Sequence, residues 1–254
     1  EIVMLTHGLE KFKEYFIGFE NQYVLIGGTA CSVLFEDFGS DFRTTKDIDM
    51  VLIVEALTKE FAEQFFKFVE DGKYEHKNKS TGLPQFYRFS KPQNKDFPSM
   101  IELFSKKESE LILKNINGLT PLHIDDEISS LSAILLNDSY YEVLKNGIKL
   151  IDGLSVLSVE SLVLFKIKAW LDLSNRKSQG ENIDSSDIKK HKNDIFRLST
   201  LILETETLPL PEEVKSDVVD FCKKMETETV DLKNLNIKTT KESILQRYKT
   251  IFGV

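Results

Sequence analysis

With 254 residues, of which 41% are hydrophobic and 29% charged, and with only 12 Gly and 6 Pro, the chain can bury one sizeable core or two small ones and is neither disordered nor fibrous. The net charge of −8 excludes a protein that coats nucleic acid by bulk charge, a mode that needs an excess of Lys and Arg. Cys31 and Cys222 alone make neither a disulfide framework nor a zinc knuckle, and the longest apolar stretches, 148–157 and 162–173, contain too many charges to cross a bilayer.

Apolar positions at helical spacing predict a first helix over 9–19, and Tyr23–Ile26 predicts a buried strand that stops at Gly27-Gly28. A second helix is predicted over 29–38. Beyond the polar loop 39–46, Ile48, Met50 and Leu52 alternate with Asp47, Asp49 and Val51 as in a strand running to Val54, and a helix follows from Thr58 to Val69. Strand signals return at 85–89 and 100–104, and again at 130–136. Asp138 is placed to cap a short helix to Leu144, and Asp152-Gly153 is a preferred hairpin turn between strands 148–151 and 154–157. From Ser158 onward the pattern is helical, over 158–174, 186–203, 211–226 and 240–252, with a polar linker at 175–185. The organisation is therefore an α/β half, residues 1–157, with a small mixed sheet flanked by helices, followed by a helical half, residues 158–254.

Three features carry chemistry. In Asp47-Ile48-Asp49 the strand period of two sends both carboxylates to one face, where their mutual repulsion calls for a divalent cation or for pairing with Arg43 or Lys46. Gly27-Gly28-Thr29 lies where a strand becomes a helix, a junction that offers backbone N–H groups and the positive end of a helix dipole to phosphate. Glu102 shares a strand face with Met100 and Phe104, so it calls for a metal, a basic partner or an edge position.

Strand, Gly-Gly, helix, strand with Asp-X-Asp, then a later acidic strand residue: this order resembles the polymerase-β-like nucleotidyltransferase superfamily. The strings Ile26-Gly27-Gly28-Thr29-Ala30 and Arg43-Thr44-Thr45-Lys46-Asp47-Ile48-Asp49 look most like its branch of AbiEii-type toxins. The resemblance implies a nucleotidyltransferase fold, with the helical half completing an active-site cleft. It implies Mg²⁺, or Mn²⁺, on Asp47, Asp49 and Glu102, and a nucleoside triphosphate cradled by Gly27, Gly28 and Thr29. Lys166, on the apolar stripe of its helix, would counter the phosphate charge, and Asp194 would position it, although a local Lys190–Asp194 pair is an alternative. Lys168 is expected to pair with Asp172 on the helix surface. The resemblance further implies a hydroxyl acceptor, an RNA such as a tRNA end in the toxin branch or a protein hydroxyl or small molecule such as an aminoglycoside elsewhere in the superfamily, and a cognate antitoxin partner; the two cysteines and the charged apolar stretches lead to the expectation of a cytoplasmic setting.

Basic clusters at Lys73, His76, Lys77, Lys79 and Arg88, and at Lys189, Lys190, His191 and Lys192, are candidate RNA contacts or solvated faces. A metal-dependent glycosyltransferase would use the aspartates but leave Gly27-Gly28-Thr29 and Glu102 without a role. A non-catalytic nucleotide-binding module on the same scaffold is the other reading.

Overall fold

The structure, a computed structural model, describes residues 7–43, 45–75, 88–104, 137–203 and 207–254. In chain order its elements are α1 (Leu9–Phe16), β1 (Tyr23–Ile26), α2 (Gly27–Asp37), β2 (Asp47–Leu52), α3 (Lys59–Gly72), β3 (Arg88–Ser90) and β4 (Met100–Phe104). They continue with α4 (Asp138–Asn146), β5 (Ile148–Ile151), β6 (Leu154–Leu157), α5 (Val159–Ser178), α6 (Ser185–Leu198), α7 (Glu212–Thr227) and α8 (Lys241–Phe252). The architecture is α/β with a C-terminal helical region.

The six strands among the described residues form one mixed sheet in the order β3-β4-β2-β1-β6-β5. β2 runs parallel to β4 and β1 parallel to β6, while the other neighbours are antiparallel. Alternation along β2 decides the two faces. Ile48, Met50 and Leu52 enter a core shared with Leu25, Phe89, Ile101, Leu103 and Val156, capped by aromatic rings from α1 (Phe12, Phe16) and α3 (Phe61, Phe65, Phe68). Burying each of these side chains is worth roughly 1.5–3 kcal/mol, so a one-residue slip of β2 would exchange three apolar side chains for two carboxylates. The hairpin β5–β6 closes through Asp152 and Gly153, both at positive φ (47° and 74°), the backbone that a two-residue turn of this hand requires.

Several element ends differ from those the sequence predicts, each for a local reason. α1 stops at Phe16, just before Gly18 at φ 84°. β2 ends at Leu52, where the Ile53 N–H turns to the Gln22 carbonyl (2.9 Å), and a short 3₁₀ turn, Val54–Ala56, follows. The cap of α4 is Asn137 rather than Asp138, its side chain accepting from the N–H groups of Ser139 and Tyr140. α5 runs past Ser174 to Ser178, and Arg176 in its added turn donates to Glu181 (2.8 Å). α6 starts at Ser185, one residue earlier than predicted, and is capped by Asp184. The Ser186 backbone N–H beside it holds the Asp184 carboxyl below its ordinary range. The predicted strand over 130–136 and residues 85–87 of another lie outside the described residues.

Contacts divide the chain into two compact units, one of Glu1–Leu136 with Ile148–Ser158, the other of Asn137–Gly147 with Val159–Val254. α4 thus packs with the helices, although the sequence assigns it to the first half. In the helical unit Trp170 meets Phe221 edge to face (5.4 Å) and the Tyr248 hydroxyl donates to the Ile195 carbonyl (2.5 Å). Among the described residues no helix is long and apolar enough to cross a membrane.

Candidate active site

The face of β2 turned away from the aromatic core carries Asp47 and Asp49, both partly buried. Register extends this into a row across the sheet: Ile26 of β1 stands opposite Asp49, Asp49 opposite Glu102 of β4, and Glu102 opposite Arg88 of β3. Neighbouring strands lie about 4.8 Å apart and residues two apart along a strand roughly 6.7 Å. Three carboxylates therefore occupy adjoining positions on one face. At an effective dielectric near 20, two unit charges about 5 Å apart repel by about 3 kcal/mol, so the row needs compensating positive charge.

Arg88 supplies part of that charge. The Arg88 guanidinium places Nε 2.7 Å and Nη2 2.6 Å from the same oxygen, Glu102 Oε1. The sequence leaves metal, basic partner and edge position open for Glu102. The structure supplies the basic partner, while the edge among the described strands is β3, not β4.

At the β1–α2 junction, Gly27 opens α2 at φ 65°, and a Cβ there would lie 1.8 Å from Asp49 Oδ2. Glycine is required because the Asp49 carboxylate sits directly over the backbone, in a conformation other residues seldom adopt. A Cβ on Gly28 would lie 2.8 Å from Thr45 Cγ2 and 3.3 Å from Arg43 Nη2, so a second cation approaches the same helix start. The Arg43 guanidinium also lies over the Phe42 ring (5.2 Å), which stacks on Phe35 (5.0 Å). Ile26 at the N-cap supplies no side-chain cap to α2. The first-turn N–H groups of a helix have no intrahelical acceptor, which suits them to an anion. Thr29 is fully buried and its hydroxyl donates to the Asp47 carbonyl at 2.6 Å. That bond ties α2 to the start of β2 and commits the Thr29 hydroxyl to the fold.

Among the described residues no three His, Cys, Asp or Glu side chains are gathered so as to hold a metal ion. Glu102 is drawn onto Arg88 instead. The donors nevertheless fit a hard cation of Mg²⁺ type. Such an ion is commonly bound by one or two carboxylates, with waters and substrate phosphates completing the shell, rather than by a full protein cage. Asp47 and Asp49, two residues apart on one strand beside a glycine-lined helix start, meet that need.

The structure brings Lys166 and Asp194 together within the helical unit, Nζ to Oδ2 at 2.8 Å, with side-chain exposures of 5% and 2%. This selects Lys166 over Lys190 as the partner of Asp194. Lys168, predicted to pair with Asp172, instead bonds Asp217 Oδ2 (2.8 Å) and lies over the Tyr140 ring (5.4 Å), while Asp172 faces Arg176 (3.6 Å). Of the basic clusters, Lys192 is held by Glu228 (2.6 Å) and the Thr229 carbonyl (3.1 Å). His76, Lys77 and Lys79 lie outside the described residues.

Arg88, which the sequence shows only as part of a basic cluster, belongs to the row, whereas Arg43, offered by the sequence as a partner for the two aspartates, stands at the helix start beside Gly28. Arg88 precedes Phe89 on a strand whose alternate residue is apolar, a pattern that puts the arginine on the Glu102 face once register is known. Compared with known proteins, the chain matches no family model, no curated protein and no solved structure.

Proposed function

We propose that the chain is a metal-dependent nucleotidyltransferase, moving a nucleoside monophosphate from a nucleoside triphosphate to a hydroxyl acceptor with release of pyrophosphate. The observation that carries this reading is the Asp49 carboxylate seated against Gly27 at the start of α2, with Asp47 on the same strand face and Glu102 in register beside it. Acid donors for a cation and backbone donors for phosphate then adjoin one another, which phosphoryl transfer by positioning and charge neutralisation requires.

On this reading Asp47 and Asp49 would hold one Mg²⁺ or Mn²⁺, and Asp49 with Glu102 would help hold a second. When bound, such cations would neutralise phosphate oxygens and steady the entering and leaving oxygens. The helix start at Gly27, Gly28 and Thr29 takes the triphosphate, and Arg43 adds positive charge there. The acceptor oxygen bonds to the α-phosphorus as the bond from that phosphorus to the bridging oxygen breaks, and the electron pair leaves with pyrophosphate. A carboxylate, with Glu102 the candidate, takes the hydroxyl proton. Lys166 is the positive charge that the resemblance assigns to the phosphates, and Asp194 holds that charge in place. The same resemblance favours an RNA acceptor, such as a tRNA end, and an antitoxin protein as partner, and the setting we propose is the cytoplasm.

One observation favours a second reading, a non-catalytic nucleotide-binding module: Glu102 is committed to Arg88. A labelling screen separates the two. The protein is incubated with Mg²⁺, each of the four labelled nucleoside triphosphates, and RNA, protein or small-molecule acceptors in parallel. Transfer is expected to RNA, and to fall at least about a hundredfold in Asp47→Ala and in Asp49→Ala with the fold retained. Nucleotide binding without transfer in any arm would establish the module instead, and full turnover by either variant would overturn the metal assignment.

A further inference from the structure

Resting on the metal-dependent reading, we propose that Arg88 governs occupancy of the Glu102 side of the cation site: guanidinium and divalent cation compete for one carboxylate. Three features carry this. Glu102 is in register with both Asp49 and Arg88, so it stands between an acidic neighbour and a basic one on the same sheet face. Both Arg88 contacts, from Nε and Nη2, converge on Oε1, which occupies that oxygen and turns the carboxylate toward β3. The two partners are also unequally tethered, the Glu102 side chain being 15% exposed and that of Arg88 49%.

The unequal exposure decides which group yields. Glu102 has little room, whereas Arg88 stands on the edge strand with half its side chain in water, and a hydrated guanidinium loses little by swinging free. Its backbone is meanwhile kept in place. Phe89 is buried in the aromatic core at 2% exposure, and Ser90 exchanges two backbone hydrogen bonds with Glu75 (2.8 and 3.0 Å). The side chain can thus move while the strand stays paired. Because a guanidinium keeps its charge at any accessible pH, the competition is set by cation concentration rather than by protonation. Arg88 also offsets part of the repulsion between Glu102 and the neighbouring Asp49. Asp47 and Asp49 then load a first cation, and a second enters only as Arg88 releases Glu102. Arg88 is in this sense a positioning residue that acts through Glu102.

The experiment is a Mn²⁺ titration of the full chain with a non-hydrolysable nucleoside triphosphate, free Mn²⁺ being read by its electron paramagnetic resonance signal. Wild type, Arg88→Gln, Arg88→Lys, Glu102→Gln and the Arg88→Gln/Glu102→Gln double variant are compared, each checked for retained fold by circular dichroism. Wild type is expected to bind two ions of unequal affinity. Arg88→Gln should tighten the weaker one by a few-fold, up to about fivefold for an ion pair of this exposure, and leave the tighter one unchanged. Arg88→Lys, which keeps a charge but not the two-pronged grip, should fall between. The double variant should match Glu102→Gln. Unchanged or weakened binding in Arg88→Gln, with wild type still binding two ions, would overturn the competition alone. Absence of Mn²⁺ binding in wild type would overturn the metal reading and this inference with it.

Discussion

Removing one member of the Lys166–Asp194 pair should cost the helical unit far more than losing a surface ion pair. At 2.8 Å with side-chain exposures of 5% and 2%, neither group can turn to water once its partner is gone. Asp194→Leu takes away the carboxylate bonded to the buried Lys166 ammonium, and breaking a buried pair from one side destabilises by about 3–5 kcal/mol. The exposed Lys11–Glu14 pair, at 34% and 62%, leaves both groups in water when either is removed, so its loss matters little. For a protein of this size 1 kcal/mol corresponds to roughly 2–4 °C, so the single variant should melt about 10 °C lower. Replacing both charges, Lys166→Met with Asp194→Leu, removes the desolvation penalty together with the attraction and should return stability to within about 1 kcal/mol of wild type. Urea and thermal unfolding followed by circular dichroism measure all three. A loss below about 1 kcal/mol in the single variant, or a double variant as unstable as the single, would refute the argument. The same double variant tests function free of the folding defect. If Lys166 counters phosphate charge, nucleoside triphosphate binding should weaken although stability is restored, and unchanged binding would limit the pair to a structural role.

Gly27→Ala introduces a Cβ 1.8 Å from Asp49 Oδ2 at a residue with φ 65°. The left-handed backbone costs roughly 1–2 kcal/mol, and the carboxylate must retreat by more than about 1 Å. Mn²⁺ affinity should therefore fall by more than stability does, and a variant that melts lower but binds Mn²⁺ as wild type would remove Asp49 from the cation site. Burial pushes the Cys222 thiol up to about 11, against an ordinary value of 9.0. Since the folded state holds the proton more tightly, this contribution to stability is fully present below pH 9 and is lost as pH rises through 11. Iodoacetamide at pH 8 should alkylate Cys222 much more slowly in the native protein than in urea, and equal rates would contradict the burial.

The parts of the fold legible in the sequence are those governed by local periodicity. Ile48, Met50 and Leu52 announce a strand and its buried face without reference to any other element, and Asp152-Gly153 announces its own turn. Element ends were less legible because they depend on partners distant in sequence, as when Gln22 takes the Ile53 N–H and ends β2. The same division runs through the candidate site. Asp47 and Asp49 share a face by alternation alone, whereas the Arg88–Glu102 pair depends on strand register across 14 residues of separation, and no local pattern encodes it. Nor does helical spacing tell Asp194 whether to choose Lys190, four residues away, or Lys166, a helix earlier. Burial makes that choice, by giving the buried ammonium the buried carboxylate.

The sheet order has a consequence for biosynthesis. β1, finished by residue 26, has β2 on one side and β6 on the other, and β6 ends only at residue 157. During synthesis one edge of an apolar strand therefore waits for about 130 further residues, close to ten seconds at typical translation rates. The chain also passes between its two units three times, near residues 136, 147 and 158, so that no single cut separates them. A fragment ending before the β5–β6 hairpin would expose the edge of β1, and would be expected to aggregate or to bind a chaperone rather than fold as a smaller version of the α/β unit.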